Sequence, residues 1–230
     1  MSDDNKIPVP AEPASPWRRL SLAGECAGLY VGVPAVYAAG WVPITIIPLL
    51  LLMTGGCGWW LHRQPQFSWR GRWRAAVPAA EWRRILMLYA AAVPVLAGLL
   101  WWVEPGALFS LVRLHPGLWM LVMLVYPVLS VLPQELIYRV FFFERYAPLF
   151  GRGTVRTGAS AVVFGFGHVI FHNWPAVVLT LAGGWRFATT YQRTGSLRAV
   201  SGEHALYGCA IFTLGYGRLF YEGTLHWLRG

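Results

Sequence analysis

Charge is what this chain has least of. Asp, Glu, Lys and Arg make up 13% of its 230 residues, about half the roughly 25% of a soluble domain. A water-soluble globule is therefore excluded, and the mean hydropathy of +0.47 agrees. The expected fold is all-α, a polytopic membrane helical bundle of about seven transmembrane helices in a single membrane domain. Negative charge and lysine are scarcest: ten acidic residues stand against 18 Arg and one Lys, for a net charge of +9. A basic chain can serve nucleic acid, but these arginines sit between apolar runs. Cytoplasmic loops and anionic headgroups explain them better, so membrane lipid and no nucleic acid is the expected partner. Three cysteines (Cys26, Cys57, Cys209) all fall in apolar segments without a CxxC pair. A disulfide framework is thus excluded, and small packing residues remain. No long internal repeat is visible, which speaks against repeat-built transporters.

What is present is a succession of apolar runs. Residues 1–16 are polar and proline-rich and read as a disordered cytoplasmic tail. A first run at 22–39 follows Arg18 and Arg19, with a signal peptide as its competing reading. Residues 41–61 carry no charge and are long enough for the hydrocarbon core. The 62–84 loop interleaves six arginines with Trp69, Trp73 and Trp82, an interfacial composition. Further spans are expected at 85–103, 117–146, 155–173, 175–192 and 197–221. Pro127 and Pro133 each free a carbonyl and predict kinks in the fourth. Arginines at 145, 152, 156, 193 and 198 fall on the same alternate connections as the 62–84 loop. The positive-inside rule then puts the N-terminus in the cytoplasm, in a multi-pass protein expected in the bacterial inner (plasma) membrane.

Against that apolar background the ionisable residues stand out. Glu135 closes a long apolar run, where a carboxylate costs at least about 2.5–3.5 kcal/mol. Arg139 lies four residues on, on the same helical face. His168 and His204 recur in later runs. Counted from the arginine-rich helix ends at 1.5 Å per residue, Glu135, His168 and His204 lie roughly 16, 18 and 9 Å deep, so one site reached from the cytoplasm is expected. A carboxylate, an arginine and two histidines can activate water and stabilise an oxyanion. The same His168, His204 and Glu135 could instead hold a divalent metal such as zinc. His168 and His172 have a zinc-like spacing but lack the HExxH glutamate, and His172 with Asn173 reads as interface. Glu203, next to His204, is expected to face an interface, and Arg186 to snorkel.

Gln134-Glu135 with Arg139, Phe164 with His168, and His204 follow the order and spacing of EExxxR, FxxxH and HxxxN. These motifs are similar to those of the CPBP family, the CAAX-protease and bacteriocin-processing intramembrane proteases. The resemblance covers about 117–221, which it makes the catalytic core. It implies a helical membrane protease, often classed as a metalloprotease, that cleaves peptide or membrane-protein substrates near the inner membrane face. It implies a glutamate and a histidine that activate water, and a last-helix polar pair that supports the oxyanion. Two positions depart from the pattern: Gln134 replaces the first glutamate, and Gly208 stands where the last asparagine would be. Glu135 is then the expected base. A catalytically silent relative acting as scaffold or immunity protein, and a small proton-coupled transporter, are the alternative readings.

Overall fold

The computed structural model describes residues 15–220, and the architecture is helical throughout them with no strand. Seven long helices dominate: α1 (Pro16–Ala38), α2 (Ile46–His62), α4 (Ala79–Val103), α6 (Pro116–Arg145), α8 (Thr154–Phe171), α9 (Trp174–Thr194) and α10 (Leu197–Leu214). Short helices α3 (Trp69–Arg74), α5 (Ser110–Leu114) and α7 (Ala147–Phe150) fill the connections. Of the long helices α1, α4, α6 and α8 are both long and apolar enough to cross a membrane, and α2 is a shorter apolar helix. The expected runs are thus present as helices. The tail residues 1–14 and the chain beyond 220 lie outside the described residues.

Pro127 opens, and Pro133 precedes, a departure of α6 from regular α-helix. The helix stays continuous and widens twice into π-helix, at Pro127–Val131 and Leu136–Phe141. A π turn leaves backbone carbonyls without their usual partner, and in an apolar interior each needs a donor. Two side chains supply them. Tyr30 of α1 donates to Ile137 O at 2.7 Å, and Ser160 of α8 donates to Tyr138 O at 2.8 Å. The second wide segment is thereby clamped from both sides, and all six of its residues are buried.

The helices α8 and α9 are the closest pair. Gly184 lies against the backbone of Ala161, and Gly165 against Leu181: a Cβ on the latter would come within 2.5 Å of Leu181 Cγ. Small residues let the two backbones approach where lipid gives no hydrophobic drive to do so.

Ion pairs knit one end of the bundle. Arg72 of α3 pairs with Glu144 at the end of α6. Arg145 pairs with Glu25 of α1, Nε to Oε1 at 2.8 Å, and Glu81 at the start of α4 holds Arg84 and, at 3.0 Å, Arg193 at the end of α9. Arg156, fully buried, donates to Phe143 O at 3.0 Å. The 62–84 loop therefore does more than lie on headgroups, since Arg72 is buried within it. At the opposite end Arg218 pairs with Glu104, and Phe109 N donates to Leu214 O at 2.8 Å.

Candidate active site

The site forms where α6, α8 and α10 meet beneath α9. Successive residues on a helix point about 100° apart, so Gln134 and Glu135 cannot share a direction. Gln134 faces a cavity of about 660 Å³, and Glu135 points away from it into the protein. Its carboxylate is fully enclosed. Oε1 accepts from His204 Nδ1 at 2.7 Å, and Oε2 lies 3.2 Å from Arg139 Nε. Arg139 is also fully buried, its guanidinium 4.3 Å above the Phe164 ring. Such a carboxylate is stabilised by its two partners where solvent cannot reach it.

His204 is held on every side. Its ring stacks on Phe187 of α9 at 4.5 Å and 18°, and meets the Phe164 edge at 5.6 Å. With Nδ1–H given to Glu135, Nε2 turns to the Tyr126 hydroxyl at 3.2 Å. His168, at the far end of α8, gives Nδ1–H to Phe164 O at 2.8 Å. That bond fixes the tautomer and leaves Nε2 as an acceptor on the cavity wall. Phe164 thus touches both histidines and Arg139. Gln134 donates to Ser130 Oγ at 2.7 Å, and its Oε1 is buried without a partner.

Of the residues expected to converge on one cavity, Glu135, Arg139 and His204 form a buried chain, while Gln134, His168 and His204 line the cavity wall. Glu135, expected as the base, does not line the cavity. Glu203, expected at an interface, is fully buried and paired with Arg186, which lines the cavity rather than snorkelling. Asn173 is not at the site; it caps α9 through Ala176 N at 2.9 Å and donates to Leu219 O. His172 sits in a left-handed turn after α8, apart from the cavity. Tyr126 and Ser130 went unread in the sequence. They stand eight and four residues before Gln134, one polar stripe along an otherwise apolar helix face, and that spacing was the available signal.

The metal arrangement fits poorly. Among the described residues no three His, Cys, Asp or Glu side chains gather as a ligand set. Glu135 and His204 turn their facing atoms on each other, and the carboxylate is shut away from the cavity.

The cavity reaches toward the arginine-poor end of the bundle. Its wall includes Ile46, the first residue of α2, and Phe171, the last of α8, both at the arginine-poor end. Val95 of α4 and Leu121 and Val125 of α6 line it while remaining exposed. The mouth is lateral, between α4 and α6. Depth along each helix was readable, but not which end the packing fills. The arginine-rich end is closed by its ion pairs and by Phe141, Phe142, Phe143 and Tyr146, all buried.

Residues 116–210 match the model of one protein family, described as type II CAAX prenyl endopeptidase Rce1-like. The resemblance to the CPBP family therefore holds over this segment, which runs from the start of α6 into α10 and contains every motif residue. No curated protein and no solved structure matches the chain.

Proposed function

We infer, taking as premise the match of residues 116–210 to the Rce1-like prenyl endopeptidases, that this integral membrane protein is an intramembrane endopeptidase whose base is His168. The observation that carries the reading is the tautomer lock: Nδ1–H is committed to Phe164 O at 2.8 Å, so Nε2 offers a lone pair to the cavity. An apolar peptide segment enters between α4 and α6. Water takes its place beside His168. As the water oxygen bonds to the peptide carbonyl carbon, its proton passes to His168 Nε2 and the carbonyl π pair moves onto oxygen. Collapse of the adduct breaks the C–N bond. The departing nitrogen takes the proton back from His168, giving one amine and one carboxylic acid. The wall formed by His204 faces the developing oxyanion. Glu135 and Arg139 act through His204 and are positioning residues.

A second reading, a silent relative, draws on Gln134, which cannot accept a proton where the family pattern has a carboxylate. Small-molecule rescue separates the cases. The protein is reconstituted with a pooled library of apolar peptides, and products are read by mass spectrometry. His168→Ala is expected to lower turnover by about 10²–10⁴, with partial recovery on adding imidazole, because the vacated space opens on the cavity. Glu135→Ala is expected to gain nothing from formate. Formate rescue of Glu135→Ala without imidazole rescue of His168→Ala would return the base to Glu135. A wild type that cleaves nothing in the library would favour the silent relative.

A further inference from the structure

Tyr126 lies outside all three motifs, yet its hydroxyl is the polar group closest to His204 Nε2 among the described residues, at 3.2 Å. Its ring is fixed from two sides, edge-on to Phe212 at 5.2 Å and against Gly208 of α10. The second contact is specific. A Cβ on Gly208 would lie 2.3 Å from both the Tyr126 hydroxyl and Cε1. Any side chain at 208 would displace the ring, so the glycine is the space that the tyrosine occupies. The hydroxyl also borders the cavity, on the same face of α6 as Gln134 two turns further on. Tyr126 is the last residue before the first π segment of α6, whose wider turn begins at Pro127.

Given the endopeptidase reading, we propose that Tyr126 is a catalytic residue, donating its O–H to the oxyanion of the tetrahedral adduct. In the resting site that hydrogen goes to His204 Nε2. A negatively charged oxygen is the stronger acceptor, so the hydroxyl turns to it as charge develops. The chain Glu135–His204–Tyr126 then acts as one unit: the buried carboxylate orients the imidazole, and the imidazole holds the phenol at its station. No bond to Tyr126 forms or breaks. A donor fixed in advance in an apolar site contributes most at the moment of charge development. The absence of a side chain amide at 208 is thereby matched by a hydroxyl brought from another helix.

The test compares four proteins on one cleaved peptide from the library. Tyr126→Phe keeps the ring, and therefore the packing on Gly208 and Phe212, and removes only the oxygen. It is expected to lower kcat by about 10²–10³ with KM little changed. Its affinity for the phosphinate analogue of that peptide, read by tryptophan fluorescence, should fall by a comparable factor while substrate affinity holds. Tyr126→Ala should lose at least as much activity. The pair Tyr126→Ala with Gly208→Asn puts an amide into the vacated space and is expected to recover at least tenfold over Tyr126→Ala. A Tyr126→Phe protein with wild-type kcat and phosphinate affinity would overturn the proposal and leave the endopeptidase reading standing. A change confined to KM would also overturn it, since that marks binding shared by ground and transition states. A wild type that cleaves no peptide would overturn both.

Discussion

At the scale of single residues, Glu135 shows how far environment decides what a carboxylate does. From the sequence its pairing with Arg139 read as an i, i+4 contact, and such pairs at an interface are worth under about 1 kcal/mol. The structure encloses both side chains completely. Removing one charge then strands the other in apolar surroundings, which typically costs about 3–5 kcal/mol. Glu135→Gln is therefore expected to lower thermal stability in detergent markedly, while the double variant Glu135→Leu with Arg139→Met should stay near wild type. Thermal melts of the three proteins check this; an unchanged melt for Glu135→Gln would mean that Arg139 finds another partner. The identities of Glu135, Arg139, His168 and His204 were legible because ionisable groups are rare and expensive in apolar runs. Their division of labour was not. Whether Gln134 or Glu135 meets the cavity depends on helix rotation, and a helix apolar on nearly all sides carries little periodic signal to fix it. Glu203 was misread for the same reason: its position beside His204 was plain, but its partner Arg186 comes from a different helix.

At the scale of elements, proline and glycine gave opposite lessons. Pro127 and Pro133 marked the right helix as irregular, and the irregularity takes the form of two π segments within a continuous helix. The carbonyls that α6 releases are claimed by Tyr30 and Ser160, and such long-range partners have no signature in the local sequence. Tyr30→Phe should therefore loosen the segment carrying Arg139. A buried carbonyl left without its donor costs about 1–3 kcal/mol, measurable as a lower melting temperature with the fold intact by circular dichroism. Gly165 and Gly184, by contrast, are sites where α8 and α9 approach closely. At Gly184 an added Cβ would lie 3.0 Å from Phe164 Cδ1 and 3.2 Å from both Cα and O of Ala161, and the last two are backbone that cannot rotate away. Gly184→Val is expected to separate α8 from α9, at a cost near the upper end of about 1–3 kcal/mol for overpacking. It should also lower turnover, because Phe164 and Phe187, which hold the two histidines, ride on those helices. A Gly184→Val protein with native stability would show that the pair can slide apart freely.

At the scale of the whole molecule, the two ends of the bundle differ in charge and in closure. The ion pairs at one end join the 62–84 loop, the end of α6 and the end of α9, so these segments share a face. Positive-inside counting assigns that face to the cytoplasm. A cysteine placed at Gln66, in a background with Cys209 changed to Ser, should resist an impermeant maleimide added outside intact cells, and one placed at Gly106 should react. Reversed labelling would invert the orientation and with it the leaflet in which substrate is met. The succession of apolar helices was legible in the sequence through run lengths. The open side was not, because a void is a property of several helices together. The lateral mouth has one more consequence. Under the endopeptidase reading, acyl chains would fill an apolar space facing hydrocarbon at rest, and lipid would compete with the peptide for entry. Apparent affinity then scales with the mole fraction of peptide in the bilayer, and its concentration in the surrounding buffer drops out. At fixed amounts of protein and peptide, adding inert phospholipid dilutes the reaction as surely as adding solvent.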